Sequence, residues 1–175
     1  MNPSADELAA AVNGEAAKEL DAAVATIQHC LAQLTDEQLW WRPETGLNSI
    51  ANLLLHLSGN LRQWIVAGIG GADDTRQRPL EFSQRGPIPK AQLIARLTEA
   101  VEEAKRALST ASASILLSPL RIQGFDVTGL EAIFHAVTHF RGHTQEIVHM
   151  TRCQLGDRCR FKFVPATPEQ GAGPA

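Results

Sequence analysis

The 175-residue chain is 44% hydrophobic and only 5% aromatic, which is the composition of a globular domain packed mainly on aliphatic side chains. Its formal net charge of −3 argues against nucleic acid or anionic lipid as a partner, because both bind through concentrated Lys and Arg. No apolar run approaches the roughly 18 residues of a membrane span and no signal peptide is recognisable, so we expect a cytoplasmic protein.

The first half of the chain contains two segments with the three- and four-residue apolar spacing of an amphipathic helix. The first segment covers residues 16–34 and is followed by Thr35, which is placed to cap a short turn. The second runs from an N-cap at Asn48 or Ser49 to Ala67 and is apolar on most of its sides. A helix of this kind is usually enclosed by others, so its polar side chains are expected to face protein.

A long connection follows the second helix, and we call residues 68–89 the crossover segment. It holds four Gly and three Pro with little periodicity. A connection of this length allows two consecutive helices to run parallel. We therefore predict an irregular loop that crosses from one end of the helical domain to the other.

The second half predicts two further helices with a short extended stretch between them. Residues 90–111 repeat apolar side chains at helical spacing, and 114–129 is typical of a hairpin or an irregular strap. The last helix is expected to begin after an N-cap at Thr128, with Glu131 completing a capping box, and to end at Leu155.

These elements predict one domain over residues 1–164. Residues 165–175 are rich in Pro, Gly and Ala, and we expect a disordered tail there.

Four of the six histidines lie in the stretch "HAVTHFRGHTQEIVH", residues 135–149. His139 and His143 are four residues apart, so they share one face of the predicted helix and can bind one ion together. An open metal site needs a third ligand from elsewhere, and His56 of the second helix lies at a matching height if the two helices run antiparallel. The sequence therefore predicts a metal site made of His56, His139 and His143.

Two neighbouring residues have more than one interpretation. His135 lies one turn before the pair. It can contact a ligand imidazole and hold it in place, or it can bind the ion itself as a fourth ligand. Glu146 can hold a ligand imidazole, activate a metal-bound water as a catalytic base, or be a solvated surface carboxylate.

Two stretches, "LTDEQLWWRPETGLNSIANLLLHLSGN" and "EAIFHAVTHFRGHTQEI", resemble the DinB-like (YfiT-like) metalloenzyme superfamily. The resemblance implies an all-α four-helix bundle in up-down-down-up order, with a long crossover between helices two and three. It also implies a homodimer and a divalent Zn, Ni, Fe or Mn ion held by His56, His139 and His143. At Glu146 this chain has an added carboxylate where the family often has Gln.

Relatives of known activity in that superfamily are thiol-dependent S-transferases, which implies a small-molecule substrate and a low-molecular-weight thiol as co-substrate. Two alternatives stay open at this point. One is metal-assisted hydrolysis with Glu146 as the catalytic base. The other is a non-catalytic dimeric module that the metal stabilises.

Overall fold

The computed structural model describes residues 3–164, and most of them are helical. The helices are α1 (Ala5–Leu31), α2 (Asp36–Trp40), α3 (Ile50–Leu61), α4 (Arg78–Ser83), α5 (Lys90–Thr110), α6 (Ala113–Leu117) and α7 (Gly129–Leu155). A π-helical turn, Arg62–Ala67, continues α3, and a 3-10 turn, Gly156–Arg158, follows α7. The predicted disordered tail, 165–175, lies outside the described residues.

The prediction of an all-α fold is confirmed for the architecture as a whole, with one exception. Strands β1 (Pro119–Ile122) and β2 (Phe125–Thr128) pair antiparallel and form a two-stranded sheet. Gln123 and Gly124 join them, and both have positive φ angles, of 52° and 85°. Such a two-residue turn matches the twist of a hairpin. Of the two structures that we expected for 114–129, the hairpin is correct for its second part, whereas 114–117 belong to the short helix α6, which was not predicted.

Helix α1 begins eleven residues earlier than the predicted start at residue 16. Ser4 and Glu7 form a capping box, in which each side chain accepts a hydrogen bond from the other residue's backbone N–H. The early turns bury small side chains such as Ala9 and Asn13. Because these carry little hydrophobic signal, the apolar spacing failed to show the first turns.

Helix α3 confirms the second predicted helix, and Ser49 is its N-cap. Ten of its twelve residues are buried, as expected for a helix enclosed by others. The crossover segment is less irregular than predicted, because it contains α4. Pro79 favours the start of this helix, since a proline in the first turn lacks only an N–H that would have no helical partner.

Four long helices build the core, with α1 packed against α5 and α7, and α3 packed against the same two helices. Asn13 of α1 donates a hydrogen bond to the carbonyl oxygen of Ala111 (2.8 Å), and Lys90 of α5 donates to that of Leu31 (3.2 Å). These bonds join opposite ends of α1 and α5, so the two helices run antiparallel. The full up-down-down-up order stays a prediction, as does the single domain over 1–164.

The core is aliphatic apart from a few large rings, and its largest fully buried side chain is Phe140 of α7. Within residues 3–164, no helix is both long enough and apolar enough to cross a membrane. The histidines singled out in the sequence lie where α3 faces α7.

Replacing Thr128 with alanine is expected to lower the free energy of unfolding by about 1 kcal/mol, because α7 loses its N-cap. The Thr128 hydroxyl accepts a hydrogen bond from the N–H of Glu131 (3.2 Å). Urea denaturation followed by circular dichroism measures the change. Thr138→Ala on the exposed face of the same helix is the control. An equal loss in both variants would show that the cap is not the cause.

Candidate metal centre

Three imidazoles from two helices converge at the contact between α3 and α7. His56, His139 and His143 each offer a ligand nitrogen, and these nitrogens all lie within 4.8 Å of one another. Nε2 of His56 is 2.8 Å from Nε2 of His139. The ring centroid of His143 is 5.2 Å from that of His56 and 4.5 Å from that of His139. The structure therefore brings the three histidines singled out in the sequence together around one point, and the metal site itself stays a prediction.

The far side of His56 contacts an ion pair supplied by the crossover segment. Nδ1 of His56 is 2.9 Å from Oε2 of Glu81. Arg76 donates to both oxygens of this carboxylate, from Nε to Oε1 (2.7 Å) and from Nη2 to Oε2 (2.8 Å). Only 2% of the Arg76 side chain and 10% of the Glu81 side chain are exposed. A buried ion pair thus stands directly behind a candidate metal ligand.

His143 has a carboxylate neighbour of its own, and here the partner is Glu146. Oε2 of Glu146 is 2.7 Å from Nδ1 of His143, and 45% of the Glu146 side chain is exposed. This is the placement expected of a residue that holds a ligand imidazole. A catalytic role for Glu146 stays a prediction.

The environment sets the protonation of two groups at the site. Burial, followed by the charges of the neighbouring imidazoles and of Arg76, lowers the pKa of His139 to about 4. Burial by itself raises the pKa of Glu81. Hydrogen bonds and charges from Arg76 and His56 together outweigh burial, so the pKa of Glu81 lies below its ordinary value. At neutral pH, Glu81 is therefore ionised and His139 is neutral, so that a nitrogen lone pair of His139 is free to bind a metal ion.

His135 lies outside the three-histidine cluster. Its ring stacks on Trp64 at a centroid distance of 3.8 Å, and it lies nearly parallel to the ring of His139 at 5.5 Å. The structure therefore places His135 beside the cluster, between Trp64 and His139. This arrangement fits a supporting residue better than a fourth ligand.

Sequence reasoning missed the residues of the crossover segment that reach the site. Glu81 and Arg76 contact His56, and the ring of Phe82 lies 4.9 Å from it. The segment has no apolar period that could have placed them. One signal was available in Gly59, three residues after His56, because a glycine on a buried helix often marks a close approach by another group.

The comparisons with known proteins agree with this architecture. The sequence model of the family described as "Protein of unknown function (DUF1572)" matches residues 9–166. The chain belongs to this family, and its fold is DinB-like. No curated protein matches the chain.

Two crystal structures resemble this DinB-like protein. One is the conserved protein of locus from Enterococcus faecalis, at 18% identity and a TM-score of 0.68, covering 79% of this chain and 94% of that one. The other is a DinB-like protein from Bacillus cereus, at 16% identity and a TM-score of 0.59, covering 75% of this chain and 85% of that one. At these identities the likeness concerns the fold alone.

The chemistry of the donor set fits a divalent transition metal. Nδ1 of His56 and Nδ1 of His143 each face a carboxylate, which leaves Nε2 of both rings for an ion. Three imidazole ligands suit Zn²⁺, Ni²⁺ and Fe²⁺ better than Mn²⁺, which prefers oxygen ligands. The fold and the cluster therefore fit a metal-binding DinB-like protein.

Gly59→Ala is expected to destabilise this DinB-like protein by about 1–3 kcal/mol, although alanine is the better helix former. A Cβ at position 59 would collide with Oε1 of Glu81, which Arg76 holds in place. Thermal unfolding measures the effect. Gly142→Ala is the matched control, because a Cβ there meets nothing within 4 Å, so that variant should gain stability. A stability gain in both variants would contradict the close approach at Gly59.

Proposed function

We propose that this DinB-like protein is a metal-dependent enzyme that holds one divalent ion through His56, His139 and His143. The observation that carries the proposal is the convergence of these three side chains from α3 and α7. Structural zinc sites in proteins are usually closed by four protein ligands, whereas catalytic sites keep three and leave a position open. The described residues supply three, because His135 stacks on Trp64 outside the cluster.

The site combines a buried side with an accessible one. His56 is buried, whereas 23% of the His143 side chain is exposed. A small molecule can therefore approach from the His143 side. A divalent ion in this position would lower the pKa of a bound thiol or water and so supply a nucleophile at neutral pH.

The reaction that we propose is the transfer of a low-molecular-weight thiol to a small electrophilic substrate. The thiol sulfur forms a bond to carbon, the leaving group departs with its electron pair, and the thiol proton passes to solvent. Support comes from the likeness to the superfamily and from the three-nitrogen ligand set. The neutral state of His139 at neutral pH also favours ligation over protonation.

Hydrolysis with Glu146 as general base is the weaker candidate. Oε2 of Glu146 is engaged by Nδ1 of His143, so one oxygen of this carboxylate is already committed to the imidazole. A Glu146→Gln variant that lost all activity towards esters while keeping its metal would favour hydrolysis.

An assay with thiols and a model electrophile tests the proposed reaction. The protein loaded with Zn²⁺, Ni²⁺ or Fe²⁺ is mixed with small thiols and monochlorobimane, and the conjugate is measured by fluorescence. We expect turnover that requires both metal and thiol, and that His56→Ala abolishes. No turnover above the uncatalysed rate, with no effect of thiol on the spectrum of bound Co²⁺, would overturn the proposal. If metal then raised the melting temperature and had no other effect, the protein would be a non-catalytic module that the metal stabilises.

Three further predictions belong with this proposal. The four long helices are proposed to run up-down-down-up, which the antiparallel α1 and α5 support. The homodimer and the cytoplasmic location stay proposals that come from the family likeness and the composition. Size-exclusion chromatography with light scattering tests the dimer.

A further inference from the structure

The ion pair behind His56 is unusual for its burial and for its origin in a connection. Arg76 and Glu81 both come from the crossover segment, and they meet in a bidentate arrangement. The remaining amino group of Arg76, Nη1, donates to Oε1 of Gln63 (2.8 Å). Every nitrogen of the guanidinium thus has an acceptor, and the carboxylate is fixed on two sides.

This arrangement decides which nitrogen of His56 carries its proton. A carboxylate paired with a guanidinium can only accept hydrogen bonds, so the short contact with Glu81 requires a proton on Nδ1 of His56. Nη2 of Arg76 also lies 3.0 Å from Nδ1, but both groups are then donors, and Nη2 donates to Glu81 instead. Nε2 of His56 is left with its lone pair, directed at the cluster.

We propose that Glu81, held by Arg76, is a positioning residue that fixes His56 in the tautomer and orientation that a metal ligand needs. The inference rests on the proposed metal centre and adds a function for the crossover segment. Gly59 is part of the arrangement, because a side chain there would occupy the place of the Glu81 carboxylate. Because Glu81 and Arg76 belong to the crossover segment, the folding of this segment affects how tightly His56 binds the metal.

Glu146 contacts His143 in a similar way but lacks the features that make Glu81 rigid. It lies three residues from His143 on the same helix, is far more exposed than Glu81, and makes no ion pair with Arg or Lys within the described residues. An exposed contact of this kind is easily replaced by water. We therefore expect the loss of Glu81 to weaken metal binding more than the loss of Glu146.

The main test removes both charges at once, because a lone buried Arg76 could unfold the protein. Zn²⁺ affinity is measured by competition with a chromophoric chelator for the wild type and for the Arg76→Leu/Glu81→Leu double variant. We expect an affinity loss of about 10- to 100-fold, the usual effect of removing such a partner. The control is Arg62→Leu/Glu103→Leu, which removes an ion pair that joins the π-helical turn after α3 to α5 and contacts no imidazole. Its affinity should match the wild type.

A second measurement needs neither variant nor metal. Long-range ¹H–¹⁵N correlation spectra of the metal-free wild type at pH 8 should show His56 protonated at Nδ1, and the Arg76→Leu/Glu81→Leu variant should lose that preference. A His56 protonated at Nε2 in the wild type would overturn the inference whether or not the double variant folds.

The two proposals fail in different ways. A wild type that binds no Zn²⁺ overturns the metal centre, and the positioning function with it. A wild type that binds Zn²⁺, with equal affinity in the Arg76→Leu/Glu81→Leu variant, overturns only the positioning function.

Discussion

Replacing His56 with alanine is expected to remove stoichiometric metal from the purified protein. The wild type should carry about one ion per chain, because its three imidazoles can hold only a single ion. The variant keeps two ligands on one helix and loses the one that joins α3 to α7. The loss of affinity should exceed the roughly 100-fold that follows the removal of a supporting residue.

Elemental analysis after dialysis measures the change, and His149→Ala is the matched control. His149 is on α7 as well but is exposed and lies outside the cluster. The same comparison has a thermodynamic readout. Metal at about 1,000 times the wild-type Kd should add about 4 kcal/mol to the stability of the wild type, and less than about 1.4 kcal/mol to that of His56→Ala, whose Kd is more than about 100-fold higher. Equal metal content in both histidine variants would contradict the ligand assignment.

Truncating Phe140 to alanine is expected to have the largest effect on folding, a loss of about 3–5 kcal/mol in the free energy of unfolding. Phe140 follows His139 on α7 but points into the core, where only 1% of it is exposed. Its removal leaves a cavity among aliphatic side chains that cannot close without moving the helices. Because α7 carries two of the three candidate ligands, the variant should also bind metal less tightly.

Guanidinium denaturation of the metal-free protein measures this effect without a contribution from the ion. Phe134→Ala provides the control, since Phe134 is on the same helix and 60% exposed. That variant should change stability by no more than about 0.5 kcal/mol. Similar losses in both variants would mean that burial does not determine the effect.

The histidine cluster was predictable because regular geometry places its members. The four-residue spacing of His139 and His143 puts both on one face of a helix, and His56 could be aligned with them by counting residues from the helix ends. The cap at Thr128 was also readable, and Ser49 was one of two candidates with Asn48, because side chains of these types satisfy the first free N–H groups of a helix.

The contacts made by the crossover segment could not be predicted in this way. Arg76 and Glu81 sit in a stretch without apolar periodicity, so no repeat indicates which of its charges turn inwards. A buried ion pair depends on tertiary contacts, which leave no local pattern in a sequence. The early start of α1 is different, since the Ser4 and Glu7 capping box was present in the sequence and was overlooked.

The most direct test of the metal centre is anomalous X-ray diffraction from crystals of the protein grown with Zn²⁺ and measured on both sides of the zinc absorption edge. We expect one strong anomalous peak per chain, enclosed by the imidazoles of His56, His139 and His143. A zinc-loaded crystal with no peak there, or with peaks only at surface residues, would contradict the metal centre.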